Sequence, residues 1–144
     1  MIPHPGSALT MLSGRLMMQL LPDLKSAYNM SDGMLIGILL NALAEELESG
    51  VKTRLEDIGE MREVFRQALD SHGAAALPAD LESLIDQQPV DMSMNSVNEL
   101  HDRMTRVLID LHEMSESEAW DALNGEIWAY LGRQVMRHHI TAAG

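Results

Sequence analysis

The sequence contains no cysteine, and only 3% of its 144 residues are aromatic. The lack of cysteine excludes disulfide bonds and thiolate metal sites, and it is consistent with a reducing compartment. Because aromatic rings are so few, the core has to consist mainly of aliphatic side chains, and the 12 methionines are suited to filling irregular gaps in it. A chain of this length is sufficient for one domain with an ordinary core.

Basic residues are also scarce, since 10 Lys and Arg stand against 22 Asp and Glu, for a net charge of −12. Nucleic acids and anionic membranes are recognised through clusters of positive charge, so we expect neither as a partner. Met1 to Ser13 shows no signal-peptide pattern, and the apolar run Met34–Ala44 is shorter than the about 20 residues that span a bilayer. A cytoplasmic location is therefore expected.

The sequence has no segment with the period of two that is typical of strands, and apolar residues recur instead at spacings of three and four. This pattern predicts an all-α protein with four main helices in an up-down bundle, forming a single helical domain over residues 1–144. The first helix covers about residues 7–28 and is expected to kink or restart at Pro22. A short extra helix is expected at about 78–88, starting at Pro78 and stopped by Pro89.

The third and fourth helices follow from two capping-box patterns, which begin at Ser96 and Ser115. The third is expected to run to about Met114, and the fourth to fray near Ile140. Their short connection predicts an antiparallel helical hairpin.

The second helix is unusually long, at about residues 31–70, which corresponds to roughly 58 Å. Its apolar run, Met34–Ala44, is expected to be enclosed on nearly all sides, and Gly33 and Gly37 would allow another helix to come close. The rest of the helix carries one apolar stripe, weakened at Gly50 and interrupted at Arg54. The other helices are too short to cover it singly, so either other segments stack end to end along it or part of it reaches into a second subunit. The second possibility is the basis for predicting a homo-oligomer, most simply a dimer, with any subunit boundary near this break.

Two polar residues of the long helix are candidate ligand-binding residues. Arg54 lies within the apolar stripe, and a buried guanidinium needs carboxylate or carbonyl partners. It is a paired interior or interface arginine, with Asp57 or an acid from another helix, or part of a site for an anion or carboxylate ligand, or a side chain that extends to water. Asn41 interrupts the apolar run, where a buried amide either specifies packing or register or contacts a ligand.

His101 and His112 are the other candidates, because their spacing of eleven places them on one face of the third helix. They lie about 16 Å apart along its axis, which is too far for one metal ion. The Glu-x-x-His motif of di-metal carboxylate bundles does not occur. The simpler interpretation is that both histidines lie at the edge of the core, and His138 is expected to cap its end. We therefore predict no metal and no cofactor.

The sequence also lacks a glycine-rich phosphate loop and a Ser–His–Asp pattern in a suitable context. The leading hypothesis is a non-enzymatic helical-bundle protein that self-associates and binds another protein. The alternative is a bundle that binds a small molecule or metal, with a site near Arg54 or on the His101/His112 face.

Overall fold

A computed structural model describes residues 4–139, and within them the chain forms five α-helices and no β-strand. The predicted all-α class and the one very long helix are confirmed. The five helices are α1 (Pro5–Arg15), α2 (Ala27–His72), α3 (Leu81–Ile85), α4 (Met94–Ser117) and α5 (Asp121–Arg137).

Helix α2 begins four residues earlier than the sequence pattern predicts, and Ser26 explains the difference. Its carbonyl accepts the N–H of Met30 at 2.9 Å, and its hydroxyl oxygen accepts the N–H of Asn29 at 3.5 Å. This serine therefore provides hydrogen-bond acceptors for two backbone N–H groups of the first turn. Before it, the chain passes through a π-helical turn and then a 3₁₀ turn that contains Pro22. The backbone becomes extended at Leu24, which separates α1 from α2.

The start of α4 and the start of α5 also differ from the positions that the two capping-box patterns predict. Helix α4 begins at Met94, because the Ser93 hydroxyl oxygen accepts the N–H of Ser96 at 3.3 Å. Ser115 does not start a new helix, because it is buried and its hydroxyl donates to the carbonyl of His112 at 2.7 Å. The chain turns at residues 118–119 before α5 begins, and the expected fraying near residue 140 lies outside the described residues.

Backbone contacts divide the chain into two compact units, and α2 contributes to both. The N-terminal unit contains the described residues up to Gly50, and the C-terminal unit contains Val51–His139. One continuous helix, α2, passes through both units. The single-domain organisation over residues 1–144 stays a prediction.

The C-terminal unit contains a hydrophobic core formed by α2, α3, α4 and α5. Phe65 and Tyr130 are its largest fully buried side chains, and Met61 and Met104 are buried among the aliphatic residues. This composition agrees with the expectation of an aliphatic core in which methionines fill gaps. The core fixes the relative positions of α2, α4 and α5, which carry the polar cluster described below.

In the N-terminal unit, the segment around α1 packs closely against α2 at two glycines. A Cβ atom would lie 2.5 Å from Leu21 Cδ2 at Gly33, and 2.6 Å from Met17 Sδ at Gly37. The Ser13 hydroxyl donates a hydrogen bond to the Gly37 carbonyl at 2.8 Å. The prediction that these glycines allow a close approach is confirmed, with a segment of the same chain as the neighbour.

Candidate functional site

The most unusual polar residue of the C-terminal unit is Asp57, whose side chain is fully buried on α2. It lies four residues before Met61 and seven before Val64, so it shares the face of the helix that builds the core. A buried carboxylate is stable only when other groups replace its hydration. The neighbouring helices provide those groups.

Four side chains from α4 and the end of α5 converge on this carboxylate. Arg137 Nε donates to Oδ1 of Asp57 at 2.8 Å, and Gln134 Nε2 lies 3.4 Å from Oδ2. His101 Nε2 and His138 Nε2 lie 3.0 Å and 2.5 Å from the same Oδ2 atom. An ionised carboxylate only accepts hydrogen bonds, so both imidazole nitrogens that face it carry a hydrogen in this arrangement.

A second carboxylate, Glu60, extends the cluster along α2. Arg133 Nε donates to its Oε2 at 2.7 Å, and Arg137 Nη1 donates to its Oε1 at 2.9 Å. Arg137 therefore bridges two carboxylates that lie one helical turn apart. It is mostly buried, whereas the side chain of Arg133 is 52% exposed.

The electrostatics of the cluster favour its charged form. Burial would raise the pKa of Asp57, but the hydrogen bonds from His101, His138 and Arg137 outweigh it and hold the pKa well below its usual range. Burial also acts to raise the pKa of Glu60, and its hydrogen bonds to Arg133 and Arg137 lower it. For Arg137 the effect of burial is likewise overcome, and the two carboxylates raise its pKa.

Two buried polar atoms near this cluster have no hydrogen-bond partner among the described residues. They are the Tyr130 hydroxyl and Nη2 of Arg137. Burial first, and then the negative charge of Asp57, raise the pKa of Tyr130, so the phenol stays protonated. The cluster thus leaves hydrogen-bonding capacity unused.

The two imidazoles connect the buried carboxylate to the protein surface. Their side chains are 14% exposed at His101 and 33% exposed at His138. Both line an open cleft of about 450 Å³, together with Arg54, Asn98, Asp102, Gln134 and Val135. A solute that enters the cleft therefore reaches the histidines before it reaches the carboxylate.

The four residues predicted from the sequence lie in different surroundings. Arg54 and His101 line this one cleft, and Arg54 is partly buried and engaged with a partner. His112 is not part of it: its ring packs edge-on against Trp128, with centroids 5.3 Å apart. Asn41 belongs to the N-terminal unit and is half-buried.

Sequence reasoning did not identify Asp57, His138 and Arg137 as a cluster. A signal for Asp57 was present, because it is in phase with Met61 and Val64 on an otherwise apolar face. No comparable signal joins it to His138, which lies 81 positions further along the chain. Only the tertiary fold brings these residues together.

A second candidate feature is a set of exposed apolar side chains in the N-terminal unit. Thirteen large hydrophobic residues there are at least 45% exposed, and we call them the N-terminal apolar surface: Met11, Leu12, Met18, Leu20, Tyr28, Met30, Met34, Leu35, Ile36, Ile38, Leu39, Leu43 and Leu47. Among the described residues up to Gly50, the buried hydrophobic ones are Leu21 and Ala44. The expectation that the run 34–44 is enclosed on nearly all sides is therefore wrong for the single chain, because α1 covers only one side of α2.

The segment before Glu45 carries every residue of this surface except Leu47, and it is almost free of charge. Only Arg15, Asp23, Lys25 and Asp32 carry charged side chains before Glu45, with His neutral, and their charges cancel. The net charge of −12 therefore belongs to the later residues. Despite its apolar character, the described part of the chain has no helix long and apolar enough to cross a membrane.

Comparisons of the chain with protein-family models, curated proteins and solved structures gave no match.

Proposed function

We propose that this chain is a self-associating helical protein in which the N-terminal apolar surface packs against the same surface of a second copy. The observation that carries the proposal is the exposure of hydrophobic residues in the N-terminal unit, where two are buried and thirteen large ones are exposed. A helix that is apolar on most sides is typical of one that is surrounded by protein.

The size of the surface fits an interface between folded partners. Thirteen side chains that are about half exposed amount to on the order of 1,000 Å², whereas one partner of a standard interface contributes about 800 Å². This exposed apolar area lies within a unit that ends at Gly50, and it is comparable with one side of a standard interface.

Charge and architecture favour a second copy as the occupant. The segment before Glu45, which carries twelve of the thirteen side chains, has no net charge, so pairing two of these segments brings no net repulsion between them and offers little to a strongly charged partner. Glu45, Glu46 and Glu48, which flank Leu47, are the charged exception at one end of the surface. In each copy, α1 and the N-terminal part of α2 form a helical hairpin, which we call the N-terminal hairpin. Two such hairpins that bury their apolar sides against one another form a four-helix bundle. Twofold dimers are also the commonest symmetric assemblies.

Sedimentation velocity of the full-length protein at about 1–100 µM tests the proposal. The double variant Leu39→Glu/Leu43→Glu places two charges on side chains that are each 54% exposed in the single chain. Burying a leucine contributes about 1.5–3 kcal/mol, so we expect the wild type to be dimeric and the variant to be monomeric. Ile109→Glu is the matched control, because Ile109 is 53% exposed but lies on α4.

The control should sediment like the wild type, and hydrogen exchange of the α4 amides between Val97 and Leu111 should be the same in all three proteins, because these residues belong to the core of the C-terminal unit. A wild-type protein that stays monomeric at the highest concentration would overturn self-association and would assign the surface to a different protein partner. A dimer that survives the double variant would place the interface elsewhere.

A further inference from the structure

We propose that Asp57, His101 and His138 form a binding site for one divalent transition-metal ion, such as Zn²⁺, that opens into the cleft beside them. This inference concerns the C-terminal unit only, and it is independent of the proposed self-association.

The three side chains already present one ligand atom each to a common point. One ligand atom from each of Asp57, His101 and His138 lies within 4.8 Å of the ligand atoms of the other two. Nε2 of each histidine lies within 3.0 Å of Oδ2 of Asp57. Zinc binds histidine nitrogen and carboxylate oxygen at about 2.0–2.2 Å, which places neighbouring ligand atoms of a tetrahedral site roughly 3.4 Å apart. The observed separations of 3.0 and 2.5 Å from Oδ2 to the two nitrogens therefore need to lengthen by less than about 1 Å.

Metal binding requires a defined change at each imidazole. In the metal-free cluster the Nε2 atom carries the hydrogen that faces Asp57, and in the metal complex its lone pair has to face the ion. A neutral imidazole makes this change by exchanging its hydrogen with solvent from Nε2 to Nδ1, and a doubly protonated one releases one proton. The ion then occupies the space of the two hydrogens, so it replaces two hydrogen bonds with three coordinate bonds.

The surrounding residues support the ligands in the way that outer groups of metal sites do. Arg137 binds Oδ1 of Asp57, which orients the carboxylate and leaves Oδ2 for the ion. Nδ1 of His101 lies 3.8 Å from Oδ1 of Asp102, so a small movement lets that carboxylate accept the Nδ1 hydrogen. Asp57 is thus held by a partner that cannot bind a metal ion, and His101 has a carboxylate within reach of its outer nitrogen.

The donor set indicates the class of ion. Two imidazoles and one carboxylate suit zinc and other first-row transition ions, whereas magnesium and calcium prefer sites made of oxygen. Three protein ligands leave a fourth position for water or a small ligand. In this structure the two histidines line the open cleft, so that position faces solvent.

The test is a calorimetric titration of chelator-treated, full-length protein with ZnCl₂ at pH 7.5. We expect one equivalent to bind with a Kd below about 100 µM, and His101→Gln and His138→Gln each to weaken binding by at least about tenfold. Two controls are matched to them. His112→Gln changes a partly buried histidine of the same helix, and His139→Gln changes the next residue along the chain, and neither belongs to the cluster.

A second measurement does not depend on the folding of any variant. Two-bond ¹H–¹⁵N spectra of the wild-type histidines report which ring nitrogen carries a hydrogen or a metal, and Zn²⁺ should shift the signals of His101 and His138 together. Shifts confined to the other histidines would identify adventitious surface binding and overturn the proposal. Equal affinity of His138→Gln and His139→Gln, or no saturation, would identify Asp57 as the centre of an ion-pair cluster without a metal.

Discussion

Nε of Arg137, the last residue of α5, donates to the buried Oδ1 of Asp57, in the middle of α2, at 2.8 Å. This contact joins two helices whose paired residues are 80 positions apart in the chain. Because Asp57 is fully buried, each partner compensates a charge that the other would otherwise leave unpaired. The pair is therefore the electrostatic centre of the C-terminal unit.

Replacing Arg137 with methionine keeps most of the side-chain volume and removes the charge. We expect Arg137→Met to lower the free energy of unfolding by about 3 kcal/mol, since it leaves a buried carboxylate partly uncompensated. Arg133→Met is the matched control, because among residues 4–139 Arg133 pairs with Glu60 alone and its side chain is half exposed. It should cost no more than about 1 kcal/mol in urea-induced unfolding. An equal loss of unfolding free energy in the two variants would contradict the larger contribution that we assign to the buried Asp57–Arg137 pair.

The lowered pKa of Asp57 predicts a specific loss of stability in acid. A carboxylate whose pKa is lower in the folded state stabilises the fold fully above its unfolded pKa of about 3.9. This contribution declines as the pH falls from there towards the folded pKa, and it is absent below it. We therefore expect the stability gap between the wild type and Asp57→Asn to be largest above about pH 5 and to shrink as the pH falls towards 2. Parallel curves of unfolding free energy against pH would contradict this.

The long helix could be predicted from the sequence because its evidence is local. An apolar stripe and the absence of proline between Pro22 and Pro78 are sufficient to predict α2, and Gly33 and Gly37 indicate a close contact correctly. The start at Ala27 was missed because Ser26 and Ser31 are both good N-caps, and only the extended backbone at Leu24 decides between them.

The polar cluster could be predicted only in part, because it depends on which helices become neighbours. The spacing of His101 and His112 places them too far apart to share one metal ion. It did not reveal that His101 faces α2, where Asp57 lies, while His112 packs against Trp128. His138 is in phase with the apolar face of α5, so it was interpreted as a cap. Its contact with Asp57 depends on the end of α5 reaching the middle of α2.

The close contact at Gly37 predicts that a single methyl group destabilises the N-terminal unit. A Cβ atom there would lie 2.6 Å from Met17 Sδ and 2.9 Å from its Cγ, so Met17 has to move. Overpacking costs about 1–3 kcal/mol, which exceeds the helix-propensity gain of up to about 1 kcal/mol. Gly59→Ala is the control on the same helix, because no atom lies within 4 Å of its added methyl group. Thermal unfolding should show Gly37→Ala as destabilised and Gly59→Ala as slightly stabilised; the same sign for both would contradict the packing argument.

Self-association predicts that the stability of the N-terminal unit depends on protein concentration. Only Leu21 and Ala44 are buried hydrophobic residues among its described residues. The N-terminal hairpin of a single chain should therefore open at a low free-energy cost. Binding to the closed form alone stabilises it by mass action. We therefore expect hydrogen-exchange protection of the amides in 30–47 to rise between about 1 and 100 µM.

Two internal comparisons separate this effect from a general change in stability. Amides of α4 between Val97 and Leu111 belong to the core of the C-terminal unit, so their protection should not change with concentration. In the Leu39→Glu/Leu43→Glu variant, residues 30–47 should exchange rapidly at every concentration, because the charged surface no longer pairs. Protection of 30–47 that is high and independent of concentration would mean that the hairpin is stable in a single chain, and its exposed apolar side chains would then not require a second copy.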